Sequence, residues 1–317
     1  MFRLLAPLIF SLAASQAAGE FRLGFPVDCT LGETCFIQNY VDHDLSRRWR
    51  DFTCGPLSYD GHKGTDIALL SRAAMRDGAS VLAAAPGTVK ARRDGIADKG
   101  IKAVRKGREC GNGVVLDHGN GWTTQYCHMK RGSVKVTLGQ HVPAGGVLGR
   151  IGYSGQTEFP HLHIEVRHKG KLVDPFAPRS LRNCGKATGK TLWQTPPKYQ
   201  PGGMILSGFA DHVPAYGKVK SGNVAKTVLP RHTTAIVLFG YAYGGRKGDD
   251  LTLRIDGPRG PVLQETFTLE KNQAQFYQAA GRKRGWFAWP AGRYTGRVIL
   301  RRKGQIVDEQ VTAVTLR

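Results

Sequence analysis

The sequence predicts an all-β protein in two parts, an antiparallel β-sheet unit followed by a smaller immunoglobulin-like β-sandwich. Two observations carry that prediction. Between residues 80 and 167, short apolar runs recur with Gly, Pro and Asn between them: SVLAAAPGTVKA, GVVLDHGNGWTTQYCHM, GSVKVTLGQHV, GGVLGRIGYSG and HLHIEVRHKG. Runs this short, punctuated by turn residues, fit strands better than helices. A Pro- and Gly-rich break, QTPPKYQPGG at residues 194–203, then separates this stretch from a second one and reads as linker.

At 317 residues the chain is long enough to bury two cores. Residues 1–17 read as a cleavable signal peptide, with Arg3, the apolar run LLAPLIFSLAA, and small residues at Ser15 and Ala17 marking cleavage near Ala17/Ala18. No later stretch is apolar enough to span a bilayer, so the mature chain is expected in the periplasm or outside the cell, without a membrane span. Residues 18–50 form an N-terminal extension with a Cys29/Cys35 loop, expected to pack onto the domain at 51–190 rather than block it. The helix expected in that domain is short, around Ser71 to Arg76. A linker at 191–205 leads to the sandwich at 206–317.

In the sandwich, DLTLRID places Leu251, Leu253 and Ile255 on one face, and RYTGRVILRR sets Tyr294, Val298 and Leu300 against Arg297, Ile299 and Arg301. With TAIVLFGYAYG, ETFTLE and QIVDEQVTAVTL, about seven short strands in about 110 residues suggest the immunoglobulin-like form. Trp286, Phe287 and Trp289 are read as core packing rather than as an exposed platform.

Six cysteines in an exported chain, with no CxxC pair, point to disulfides rather than a zinc finger. Cys29 and Cys35 close a short loop. Cys110 and Cys127 flank two strand-like runs around a Gly/Asn turn and should meet across a hairpin; whether Cys54 joins Cys184 stays open. The formal charge of +22, of which Arg3 contributes one, favours an anionic partner. An anionic envelope polymer suits that charge better than nucleic acid, because export removes most nucleic acid from reach and the basic residues are spread along the chain.

The chemistry concentrates in two segments. In PHLHIEV, His161 and His163 lie two apart in an extended context and should share a face. In YDGHKGTDIALL, His62 and Asp66 offer an imidazole and a carboxylate from a loop entering a strand. A catalytic zinc site takes three N/O ligands and keeps one position open, so His62, Asp66 and one histidine of HLH complete a shell, and spacing alone does not choose which. His128, in TQYCHMK, is a further histidine for the same cleft. Glu165 suits either a carboxylate that orients a ligand or a surface salt bridge.

These segments resemble the lysostaphin/LytM family of zinc metallopeptidases over residues 55–176. The resemblance rests on the HxxxD segment, the Tyr126-Cys127-His128 element, the approach GQHVPAGGVLGRIGYSG and the late HLH strand. It implies a fold of duplicated hybrid motif type, one Zn2+ per chain on His62, Asp66 and His163, and His128 and His161 as an uncoordinated catalytic pair. It also implies an endopeptidase acting on stem-peptide crosslinks or bridges of peptidoglycan. Where the family usually reads Thr-Gly before PHLH, this chain has Glu158-Phe159, which should reshape the cleft rim. The alternative is a non-catalytic envelope regulator or polyanion-binding module that keeps the fold; such relatives lose ligands, whereas all five positions survive here.

Overall fold

The computed structural model describes residues 20–179, 181, 183–185 and 189–317, and the expected signal peptide lies outside them. The strands of the first half are β1 (Cys35–Asn39), β2 (Thr65–Leu69), β3 (Ser80–Leu82), β4 (Gly87–Arg93), β5 (Asn112–Asp117), β6 (Trp122–Met129), β7 (His141–Val142), β8 (Val147–Arg150), β9 (His161–His168) and β10 (Lys171–Val173). Eight of them form one antiparallel sheet in the order β1-β2-β9-β6-β5-β4-β7, with β10 paired to β9, while β3 and β8 pair separately. The short helix α1 (Arg72–Asp77) falls where expected. Ser71 caps it, its hydroxyl accepting from the Ala74 N–H.

Alternation along these strands builds the core. Ile67, Leu116, Tyr126, Leu162 and Ile164 are fully buried on one side of the sheet, and burial of such side chains stabilises by about 1.5–3 kcal/mol each. The N-terminal segment packs as part of this body: β1 forms the sheet edge beside β2, Leu23 is buried, and Phe21 stacks on Trp122 at 4.4 Å. The run SVKVTL at 133–138, read from sequence as a strand, is not one. Backbone donors of Gly132 and Val134 go instead to the Asp94 carboxylate, and only His141–Val142 joins the sheet.

The second half has β11 (Gly203–Ala210), helix α2 (Tyr216–Ser221), β12 (Val228–Leu229), β13 (Ala235–Gly245), β14 (Asp250–Gly257), β15 (Gly260–Thr268), β16 (Gln273–Lys283), β17 (Gly292–Arg302) and β18 (Gln305–Leu316). A three-stranded sheet, β11-β13-β16, faces a five-stranded one, β12-β18-β17-β14-β15. Leu251, Leu253, Ile255, Val298 and Leu300 meet Phe209, Ile236 and Leu238 in a common core. The two sheets make a sandwich, in which β12 pairs parallel to β18. Trp289 lies in this core at 9 % exposure, whereas Trp286 and Phe287 stand out at 98 % and 87 %. For those two, the expected core packing is corrected.

The two halves are packed together. Phe36 and Ala68 of the first sheet share an apolar cluster with Ile205, Phe239, Tyr241 and Tyr243 of the second half. The expected linker is pinned as well: Tyr199 packs on Tyr40 and Phe52, and its hydroxyl donates to Asp51 at 2.8 Å.

Candidate metal centre and cleft

Along β9, Leu162, Ile164 and Val166 enter the core, so His161, His163 and Glu165 face the other way. Strand pairing decides what stands beside them. Asp66 of β2 lies opposite His163, and Cys127 of β6 lies opposite it on the other flank. Paired residues share a face, so the carboxylate and both imidazoles reach one surface. His62 arrives from the loop just before β2.

Asp66 Oδ1 is the hub. It lies 2.8 Å from His163 Nδ1, 3.1 Å from His62 Nε2 and 3.4 Å from His161 Nε2. One ligand atom each from His62, Asp66 and His163 falls within 4.8 Å of the others. The atoms turned away from this point are tied back: His62 Nδ1–H donates to the Tyr40 carbonyl at 2.7 Å, and Asn39 Nδ2 donates to Asp66 Oδ2 at 3.0 Å. Donation at Nδ1 leaves a lone pair on His62 Nε2, the tautomer a metal ligand needs. Two imidazole nitrogens and one carboxylate oxygen at the floor of a cleft therefore fit a divalent metal with an open position.

The charges around Asp66 agree. Burial disfavours a charged His62, yet the Asp66 carboxylate and the Tyr40 carbonyl outweigh it, and its pKa moves up. Burial alone would raise Asp66, but the His62 and His161 imidazoles hold it well below the usual carboxylate range. For His163 burial dominates and lowers its pKa. A bound cation would take the place of the protons shared in this cluster.

His128 reaches the cleft by an exception. Strict alternation would send it to the core side with Tyr126, but its φ of 62° breaks the pattern. Left-handed backbone is uncommon outside glycine and persists only where neighbours enforce it. Here the His128 N–H donates to the Cys110 carbonyl at 2.8 Å, its own carbonyl accepts from the Gly152 N–H at 3.0 Å, and the Cys110–Cys127 disulfide fixes the preceding residue. The ring turns to within 4.6 Å of His161 and 5.9 Å of His163, centre to centre. Its Nδ1–H donates to the Ser154 carbonyl at 2.9 Å. Burial first, then the His161 and His163 imidazoles, hold its pKa well below the ordinary histidine value. His128 is thus a neutral ring with Nε2 free to accept a proton.

His161 is oriented from the opposite side, with Nδ1 at 3.0 Å from both the Thr157 hydroxyl and the Phe159 carbonyl. Glu165 takes the salt-bridge alternative, paired with Arg167. All five expected residues line one cleft of about 760 Å³. Glu158 and Phe159 form part of its rim, as the departure from the family pattern implied. Asn272, Gln273 and Ala274 of the sandwich form another wall, held there by Gln38, whose Nε2 donates to the Ala274 carbonyl at 3.0 Å.

Sequence reasoning missed Asn39, Tyr40, Ser154 and Thr157. Three of these act on the site through a backbone carbonyl or a side-chain amide, groups that carry no metal-site pattern. The disulfides form as expected at Cys29–Cys35 and Cys110–Cys127, and the open pair resolves as Cys54–Cys184.

Fold and site together define a β-sheet protein with a His-Asp-His group able to hold a metal in a peptide-sized cleft. Residues 60–175 match the family model of peptidase family M23, so the chain carries an M23 peptidase domain. Among curated proteins, it is 40% identical over 98 residues to the DD-carboxypeptidase/endopeptidase Mpg of Neisseria meningitidis, covering 30% of this chain and 21% of that one. It is 39% identical over 64 residues to the peptidoglycan DD-endopeptidase ShyA of Vibrio cholerae, covering 20% and 14%. The match thus spans less than a quarter of these relatives. A solved zinc-containing peptidase from Vibrio cholerae is 25% identical, with a TM-score of 0.29, covering 43% of this chain and 38% of that one.

Proposed function

We propose that this chain is a zinc-dependent endopeptidase that hydrolyses stem-peptide crosslinks or bridges of peptidoglycan in the periplasm or outside the cell. The observation that carries the reading is the convergence of His62 Nε2, Asp66 Oδ1 and His163 Nδ1 within 4.8 Å, with two further histidines on the same face. The activities for which Mpg and ShyA are named support the substrate class, and the +22 charge suits an anionic wall.

His62, Asp66 and His163 would hold the zinc ion, which supplies Lewis acidity toward a peptide carbonyl and acidifies water. His128, neutral and with Nε2 exposed to the cleft, takes the proton from the attacking water and passes it to the departing amine. His161, once protonated, keeps its Nδ1–H on the Phe159 carbonyl and donates from Nε2 to the oxygen on which negative charge develops. Asn39 and the Tyr40 carbonyl keep the ligands aligned, and Asn272 to Ala274 confine the peptide from the sandwich side.

The test compares metal content and release of peptides from purified sacculi in the wild type, after chelation, and after zinc is restored. The reading expects one zinc per chain, loss of hydrolysis on chelation and its return with zinc. Hydrolysis untouched by chelation contradicts it.

A further inference from the structure

We infer that the sandwich tip carrying Trp286 and Phe287 is a docking site for an anionic phospholipid surface. These are the most exposed large apolar side chains among the described residues, at 98 % and 87 %. They sit side by side between β16 and β17, while the next aromatic, Trp289, is buried with its Nε1–H donating to the Thr233 carbonyl at 3.2 Å. Full exposure of two adjacent aromatic rings leaves apolar surface in water that a membrane interface would cover.

The charge around the tip selects the lipid. Arg282, Lys283 and Arg284 precede the pair in sequence. Strand register brings more cations to this end: Lys283 pairs with Ala235, next to the turn holding Arg231, and Gly292, which opens β17 just before Arg293, packs against Pro258, the neighbour of Arg259. The sandwich's Lys and Arg ion pairs join Arg254 to Asp256, Arg297 to Glu309 and Arg302 to Asp249. Among the described residues, none of these ion pairs includes the six cations of the tip; Arg231 Nε donates to the Trp289 carbonyl at 2.8 Å, while Arg259, Arg282, Lys283 and Arg293 are exposed and open to phosphate headgroups.

A carbohydrate site is the competing occupant, and the chemistry argues against it. Stacked sugars need side-chain acceptors and donors for their hydroxyls, in a concave site. From Ala279 to Arg293 the sequence AAGRKRGWFAWPAGR has no Asp, Glu, Asn, Gln, Ser or Thr. Cations beside an interfacial Trp and a Phe match a lipid boundary.

The tip also lies at a fixed distance from the cleft. Strand β16 begins at the cleft wall with Gln273 and runs eleven residues to Lys283, about 33 Å at the usual rise of a strand. Docking at the tip would hold the cleft roughly that far from the bilayer, toward a polymer lying off the membrane. This inference does not depend on the peptidase reading.

The purified protein is sedimented with phosphatidylcholine vesicles, with and without an equimolar share of phosphatidylglycerol, at about 0.15 M salt. Binding should be at least about tenfold tighter to the anionic vesicles. Trp286→Ala/Phe287→Ala should lose most of it, and Arg259→Gln/Arg282→Gln/Lys283→Gln should lose the preference for phosphatidylglycerol. Both variants should melt like the wild type, since the replaced side chains lie outside the core. Absence of vesicle binding, or binding unchanged in the aromatic variant, overturns the inference. So does retention by sacculi or single-stranded DNA that depends on Trp286 and Phe287 while vesicles are ignored.

Discussion

The rings of His128 and His161 lie 4.6 Å apart, each with its Nδ1 tied to a backbone carbonyl, Ser154 for one and Phe159 for the other. His128 Nε2 is left for the cleft, while His161 Nε2 stands 3.4 Å from Asp66 Oδ1. Replacing His128 with Ala should leave zinc content at one per chain but lower the rate of sacculus hydrolysis by about 10²–10⁴-fold, the usual size of a lost general base. His62→Ala and Asp66→Ala should lose the metal itself. Metal analysis beside the rate assay separates the two effects; full turnover by His128→Ala would remove it from the mechanism.

Gly64 packs beneath the candidate metal centre. A Cβ added there would stand 2.6 Å from His163 Cε1 and Nε2 and 2.6 Å from the Ile164 carbonyl. The carbonyl cannot move without breaking the β2–β9 ladder, so the His163 ring must. Gly64→Ala should therefore weaken zinc binding by about 10–100-fold, the range seen when a ligand's orientation is disturbed. Competition with a chromogenic chelator measures it.

His118 makes stability depend on pH. Burial lowers its pKa, and its Nδ1–H donates to the Pro86 carbonyl at 2.8 Å while Nε2 meets the Thr124 hydroxyl at 2.8 Å. A depressed histidine binds its proton more readily in the unfolded chain, so its contribution is present above about pH 6.5 and is lost as pH falls through the folded value. His118→Gln should flatten that acid limb in thermal melts recorded between about pH 7.5 and pH 5. An unchanged slope would assign the limb to other groups.

Cys54 and Cys184 join positions 130 residues apart. Closing a loop of that length removes unfolded-chain entropy worth up to about 5 kcal/mol. Cys54→Ser/Cys184→Ser should lower the urea midpoint markedly while zinc binding persists, since neither residue touches the metal ligands. A midpoint within error of the wild type would contradict this.

The candidate metal ligands are legible because their order along the chain coincides with strand pairing: two residues apart on β9 means one face, and HxxxD delivers a loop and a strand to that face. His128 was legible only as a candidate, since alternation assigns it to the core and a positive φ, invisible in sequence, reverses that. Asn39 and the Tyr40 carbonyl come from a segment read as an extension, because nothing in CFIQN shows which strand it will pair with. Periodicity likewise misread residues 133–138, where the Asp94 side chain competes for the backbone donors. Trp286 and Phe287 were assigned to a core by composition, although only Trp289 has a partner there.

The proposed reaction is cleavage of cell-wall peptides in this cleft with a metal held by His62, Asp66 and His163. Mass spectrometry of sacculi digested by the zinc-loaded protein tests it most directly. Muropeptides with newly freed amino termini at crosslinks or bridges are expected, absent with Asp66→Ala and after chelation. Intact crosslinks after exhaustive digestion by a protein that holds one zinc per chain would contradict it.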